Sequence, residues 1–264
     1  MTPSALREQD VPAATKLLER VGLAAGAANI GRYLRWQPDG IFGLIDDGRL
    51  LGTVSLLQFG DVDFIGCMAV EPAQQGRGLG RMLLEHAHAH GERAGVKTFL
   101  LEATPVGAVL YRKLGYVVEH ETAIVGRTAS RPPAVLRTTG DRASILELDR
   151  VATGSPRDKM IGALVDEVGA ATVRTGGVVA GYGLFVGERL GPVIARDAGA
   201  GRALIDELAA GCSTSTVPLP NEAAFAALGA NGFTVVRTLE RMRRGPRLAS
   251  RTDWIWALAS AGAG

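Results

Sequence analysis

Val70-Glu71-Pro72-Ala73-Gln74-Gln75-Gly76-Arg77-Gly78-Leu79-Gly80-Arg81 is the stretch on which the fold is decided. An alternating apolar pattern over residues 62–70 ends just before Pro72. Glycines follow at 76, 78 and 80, and a helical pattern begins near Leu79. Unpaired N–H groups at a helix start attract anions, and glycines let a diphosphate come close to the main chain. No Gly-Lys-Ser/Thr follows, so this is not a magnesium-nucleotide loop of the Walker type. The glycines also come after a meander, not after the first strand of a βαβ unit, which excludes a dinucleotide fingerprint.

Upstream, a short strand at 4–7 leads to Asp10, read as the cap of a helix in which Val11, Ala14, Leu17, Leu18 and Val21 recur at helical spacing. A second helix covers 27–36 and stops at Pro38. Strands are expected at 41–45, 50–59 and 62–70, the first two joined by a turn at Asp46-Asp47-Gly48. Downstream come a helix at 79–93 ending at Gly95, a strand at 97–104, a helix at 106–114 closed by Gly115 and a strand at 116–125. The order β-α-α-β-β-β-α-β-α-β implies a mixed sheet with helices packed on it, an α/β (α+β) arrangement.

Between Gly126 and Ala134 the composition turns to Arg, Thr, Ser and Pro132-Pro133, as in a linker. The pattern then restarts. Leu136-Arg137 and Asp141 echo Leu6-Arg7 and Asp10. Helices at 142–150 and 157–167 precede a hairpin of 171–175 and 178–185 turned at Gly176-Gly177. A strand at 192–195, a helix at 199–210, a strand at 213–218, a helix at 222–228 and a strand from Gly232-Phe233 to Met242 complete the repeat. Repetition of both residues and element order signals a duplicated domain. The expected division is 1–126, a linker at 127–134, and 135–264, each domain a central mixed β-sheet flanked by helices.

With 47% hydrophobic and 21% charged residues, the 264-residue chain has the composition of a globular protein with a full core. A net charge of +2 gives no nucleic-acid arm, and the arginines from 237 to 247 read as a solvated strand and its exit loop. Cys67 and Cys212 lack metal-ligand spacing and read as reduced thiols. Residues 1–10 hold Arg7, Glu8 and Asp10, so no signal peptide is expected, and no apolar run approaches the ~18 residues of a membrane span. The expectation is a cytoplasmic monomer or homodimer. His86 and His90 share a helix face at i,i+4 but have no third ligand, so these two and His88 read as a solvated surface.

Gln75-Gly76-Arg77-Gly78-Leu79-Gly80 resembles the Gln/Arg-x-x-Gly-x-Gly/Ala signature of the GNAT superfamily of acyl-CoA N-acyltransferases. Ala108-Val109-Leu110-Tyr111-Arg112-Lys113-Leu114-Gly115-Tyr116 is similar to its second hallmark, Ala-x-x-Tyr-x-x-x-Gly-Phe. The resemblance implies a fold of two tandem GNAT-like domains and acetyl-CoA as acyl donor, with no metal. It implies that the amides of Gly76, Arg77, Gly78, Leu79, Gly80 and Arg81, with Gln75, receive a pyrophosphate. It further implies that a pantetheine arm adds itself to the backbone of Met68, Ala69 and Val70, as in β-augmentation. Thr104 stands where many relatives carry an Asn that touches that arm.

By the same resemblance Tyr111 is the general acid that reprotonates the departing thiolate, and a main-chain N–H near Ala69 or Val70 stabilises charge on the attacked carbonyl. An amine with a pKa of about 10.4 must lose a proton before it attacks, and a carboxylate suits that task. Glu102 is the first choice, with Asp63, Glu71 or a group from the second domain as rivals. The second copy, Val193 to Leu204, has a shorter loop, no Gln, and Asp197 where a pyrophosphate would sit, and no tyrosine appears from Ala224 to Ala227. It is therefore expected to be a degenerate copy, and the resemblance to tandem GNAT proteins implies that this copy walls the acceptor pocket, with Trp36, Arg157 and Tyr182 as candidate lining residues. The acceptor is expected to be a small-molecule amine. A protein lysine remains an alternative, as does a non-catalytic acyl-CoA sensor.

Overall fold

The computed structural model describes residues 1–128 and 141–264. Most of the expected linker and the Leu136-Arg137 echo lie outside the described residues. In the first half, β1 (Ser4–Ala5) is followed by α1 (Val11–Arg20), whose Ala14, Leu17 and Leu18 face the core, and by α2 (Ala24–Trp36). Asp10 does not cap α1 as expected; its carboxylate accepts from the Arg7 N–H at 2.8 Å instead. A meander of β2 (Ile41–Asp46), β3 (Arg49–Phe59) and β4 (Val62–Val70) comes next. Asp47 and Gly48, both at positive φ, form the two-residue turn that matches the twist of the β2–β3 hairpin. α3 (Leu79–Arg93), β5 (Thr98–Ala103), α4 (Pro105–Lys113) and β6 (Val117–Gly126) complete this half.

The second half repeats the order with α5 (Arg142–Thr153), α6 (Asp158–Val168), β7 (Ala171–Thr175), β8 (Val178–Val186), β9 (Arg189–Ala195), α7 (Ala198–Leu208), β10 (Thr214–Pro218), α8 (Glu222–Ala230) and β11 (Thr234–Arg244). A further strand, β12 (Ile255–Ala257), has no counterpart in the first half.

The two halves share one sheet, ordered β1-β2-β3-β4-β5-β11-β6-β10-β9-β8-β7, with β12 paired to β9. The sharing is reciprocal. β6, the last strand of the first half, pairs antiparallel with β10, and β11, the last strand of the repeat, pairs antiparallel with both β5 and β6. Arg237 is exposed, but Arg241, Arg243 and Arg244 of β11 are not on a solvated strand, contrary to expectation. Arg241 pairs with Glu102 at 2.8 Å, and Arg243 with Glu119 and Arg244 with Glu92 at 2.9 Å. α1, α2, α5 and α6 cover one sheet face over a single core built from both halves, including Leu17, Ile30, Tyr33, Leu148, Ile161 and Tyr182. On the opposite face α3 and α4 bury one cluster, with Met242 of β11 inside it, and α7 and α8 another, with Ala123 and Val125 of β6 inside it. No helix among the described residues is long and apolar enough to cross a membrane.

Residues 1–128 expressed alone would leave both flanks of the β11 slot unpaired, and such open edges aggregate. That fragment is expected to lack a cooperative thermal transition, and co-expression with residues 141–264 should restore one. A fragment melting like the full chain would show that the shared strand is dispensable.

Candidate active site

β4 and β5 run parallel and part company. Their pairing extends from Val62↔Thr98 to Ile65↔Leu101 and stops there. A bulge in β4, with Cys67 at positive φ, accompanies the divergence. On its other side β4 stays paired to β3 through Thr53↔Ala69 and Gly52↔Val70. The Glu71 N–H donates to Leu51 O at 2.8 Å, so strand alternation turns the Val70 N–H and C=O the opposite way, into the gap. The Gln75 amide donates to that Val70 carbonyl at 3.1 Å and leaves the N–H free.

The gap opens onto the start of α3. Gly76 and Gly78 have φ of 77° and 80°, a region that disfavours side chains, and nothing lies within 4 Å of where their Cβ atoms would be. No side chain caps α3. Its first-turn N–H groups lack intrahelical partners and carry the positive end of the helix dipole. A groove of about 660 Å3 runs from here between the parted strands. The residues expected to hold the donor all line it except Arg77, whose guanidinium bonds the Gln74 side chain, and Glu102 and Tyr111 line it too. Arg81 lines it while paired to Glu85 at 2.7 Å.

Tyr111 reaches the groove from α4, is 7% exposed, and packs its ring 5.7 Å from that of Tyr116. Gly107, one turn earlier, makes room for it: a Cβ there would come within 3.1 Å of the ring. Burial raises the Tyr111 phenol above its ordinary range, so it stays protonated at neutral pH. Thr104 is the N-cap of α4, accepting from the Gly107 N–H at 3.2 Å, which leaves its hydroxyl proton available. The Glu102 side chain is fully buried, with Oε1 held by Arg241 and Oε2 left without a partner.

Several expected neighbours lie elsewhere. Asp63 is buried under α3 against Gly91, where burial and, secondarily, Asp39 push its carboxyl up to about 7. Glu71 is tied to Arg20 at 2.6 Å. Neither lines the groove. The histidines are not a solvated surface. His88 is buried and hydrogen-bonds the Tyr116 hydroxyl at 2.7 Å, and burial, with Arg244 nearby, lowers its pKa to about 4. His86 and His90 pack edge-on against Phe42. No cluster of metal-ligand type occurs among the described residues. Tyr182 and Arg157 are buried around Asp149, Tyr182 at 2.5 Å and Arg157 at 2.7 Å, and Trp36 packs on Tyr33 with ring centroids 5.8 Å apart. None of these three lines the groove.

The groove is completed by residues not singled out beforehand. These are Val21, Leu23 and Gly26 around the α1–α2 turn, Arg237 and Leu239 of β11, and Ala261 and Gly262. The segment ending at Gly264 is anchored by Ser260 to the Tyr33 hydroxyl at 2.7 Å and by the Gly264 carbonyl to Arg157. It sets Gly262 so close to Gly66 that a Cβ on Gly66 would meet the Gly262 carbonyl at 2.6 Å.

β9 and β10 also part, after only Thr214↔Arg189 and Ser215↔Leu190. Here β12 fills the gap, pairing Ile255↔Ile194 and Ala257↔Val193, with Leu258 N–H donating to Thr216 O at 2.8 Å. The Trp256 ring occupies the space a side chain on Gly201 would need, and Asp197 caps α7 by accepting from the Ala200 N–H at 2.8 Å.

Family models described as acetyltransferase (GNAT) domains match residues 37–118 and 145–257. The chain is 33% identical over 124 residues to the [ribosomal protein bS18]-alanine N-acetyltransferase of Escherichia coli K12, a match covering 44% of this chain and 80% of that one. A solved structure from Pyrococcus horikoshii classed as an acetyltransferase superposes with a TM-score of 0.85 at 21% identity, covering 99% of this chain and 95% of the other. A GCN5-related N-acetyltransferase from Sphaerobacter thermophilus gives 0.66 at 18% identity, covering 94% and 98%.

Because Glu102 is buried, removing its partner leaves a charge that nothing compensates. Arg241→Met is expected to cost about 3–5 kcal/mol in denaturant unfolding, and adding Glu102→Leu should recover most of it. No loss in the single variant would mean that the pair contributes nothing to stability.

Proposed function

The chain belongs to the GNAT family of acetyltransferases and is an acyltransferase, and from that premise we propose that it transfers an acetyl group from acetyl-CoA to the primary amine of a small molecule by direct attack in a ternary complex. The observation that carries this is the uncapped start of α3 facing the free edge of β4. The residues present fit the donor. Open space over Gly76 and Gly78 admits a diphosphate, and the unpaired Val70 N–H offers a strand edge to an extended arm.

Acetyl-CoA, when bound, supplies the thioester that an amine attacks. The N–H groups from Gly76 to Arg81 bind its diphosphate, and the backbone of Met68 to Val70 orients the arm, with Thr104 beside it. The Val70 N–H receives the carbonyl oxygen in this reading. Glu102 Oε2, unpartnered, takes the proton that the amine loses as the carbon–nitrogen bond forms. Tyr111 gives a proton to the sulfur as the carbon–sulfur bond breaks. The approach of Gly262 to Gly66, with Ala261 also lining the groove, favours a small acceptor. The second half is thus proposed as the acceptor-pocket wall, with its own gap filled by β12. The similarity to an enzyme that acts on a ribosomal-protein alanine supports a second reading, a protein α-amine as acceptor.

Thiol release from acetyl-CoA with a library of small amines, set beside acetylation of protein N-termini, separates the two readings. In the same assay Tyr111→Phe should lower kcat by about 100-fold or more, with acetyl-CoA affinity within about threefold of wild type. Glu102→Gln should lower kcat/KM by about 100-fold. Unchanged turnover in either variant removes that residue's role. Calorimetry on the full chain should give one equivalent of acetyl-CoA, and two would show that β12 does not fill the second gap.

A further inference from the structure

Two charged side chains stand at the acceptor end of the groove, and only one has a charged partner. Glu102 is held by Arg241; Arg237 donates from Nη2 to the Gly22 carbonyl at 3.0 Å and makes no ion pair among the described residues. The other three arginines from 241 to 244 on the same strand are each matched to a carboxylate. Arg237 owes its position to an irregularity in β11. The register against β6 shifts between Val235 and Arg237, leaving Val236 as an extra, exposed residue. Val235 stands opposite Val125, but after the bulge Arg237 stands opposite Ile124 and Leu239 opposite Thr122. The bulge thus brings the guanidinium to the groove face beside Ile124 and Leu239, the use to which bulges near active sites are put. The Gly22 carbonyl it bonds lies between Val21 and Leu23, both apolar lining residues.

Arg237 is an exposed residue that lines the groove, and its guanidinium, with forked donors still free, is matched by a carboxylate or a similar planar anion. We propose that the acceptor is an amine that also carries an anionic group, most simply a carboxylate, and that Arg237 binds that group. This rests on the acetyl-transfer reading and narrows its acceptor. Spacing adds a further restriction. Glu102 stands opposite Arg241, and Arg237 lies four residues back along the strand, about 13 Å at the rise of an antiparallel strand. That backbone spacing favours an anion set several bonds from the amine over one on the carbon that bears it.

The test uses ω-amino acids from β-alanine to 6-aminohexanoate, each paired with its carboxamide. kcat/KM is measured with acetyl-CoA, and binding to the CoA-saturated full chain is measured by calorimetry. The longer acids are expected to exceed their amides by about tenfold or more, equivalent to about 1.4 kcal/mol. Arg237→Gln should erase the difference through the KM of the acid and leave kcat on the acid little changed. Equal binding of acid and amide overturns the proposal, as does an Arg237→Gln effect falling mainly on the KM of acetyl-CoA. Selective binding of the acid without turnover would support the anion site and count against the acetyl-transfer reading alone.

Discussion

The parting of β4 from β5 after Ile65↔Leu101 is the constraint on which the site depends. A parallel pair that stayed zipped would satisfy the backbone of Val70 and leave no groove. Because it opens, the edge of β4 is exposed beside a helix start that no side chain caps. The open edge and the helix dipole both suit a partner of extended shape ending in an anion. The second half meets the same requirement from within. β12 supplies the strand, Trp256 the bulk and Asp197 the anion. One duplicated geometry thus offers one open slot and one filled by the chain's own residues.

The exchange of last strands makes the two halves chemically interdependent. β11 brings Arg241 to the carboxylate proposed as base, and Arg237 and Leu239 to the groove. The Asp149–Arg157–Tyr182 cluster, buried in the core common to both halves, bonds the carbonyl of Gly264 and so fixes the segment that places Gly262 against Gly66. A buried ion pair of this kind is weak evidence for stability, because desolvation offsets most of its attraction. Its visible consequence is placement. The Glu102 oxygen that Arg241 leaves unpartnered is the one proposed to take the proton of an incoming amine.

Element order and the residues that line the groove at the start of α3 were legible because both are local. Turn chemistry at Asp47-Gly48 and Gly176-Gly177, helical spacing on α1 and the glycines before α3 each act within a few residues. Long-range pairing was not. Strand alternation says which side chains share a face but not which strand lies alongside, so β11 read as a solvated strand of the second domain when it is central to the first. A signal was present in Arg241, Arg243 and Arg244, since so many cations on an apolar strand need carboxylates, and Glu92, Glu102 and Glu119 supply them. His88 misled for a related reason: its helix face reads as polar until Tyr116 closes over it.

Gly78→Asp copies onto α3 the carboxylate that Asp197 places at the start of α7, in a residue type that tolerates positive φ better than most. Calorimetric titration of this full-length variant with acetyl-CoA tests the central claim most directly. With the melting curve preserved, affinity should fall by about 100-fold or more, as the introduced anion competes for the same N–H groups. Affinity equal to that of the unaltered chain would contradict the claim that the start of α3 holds the diphosphate.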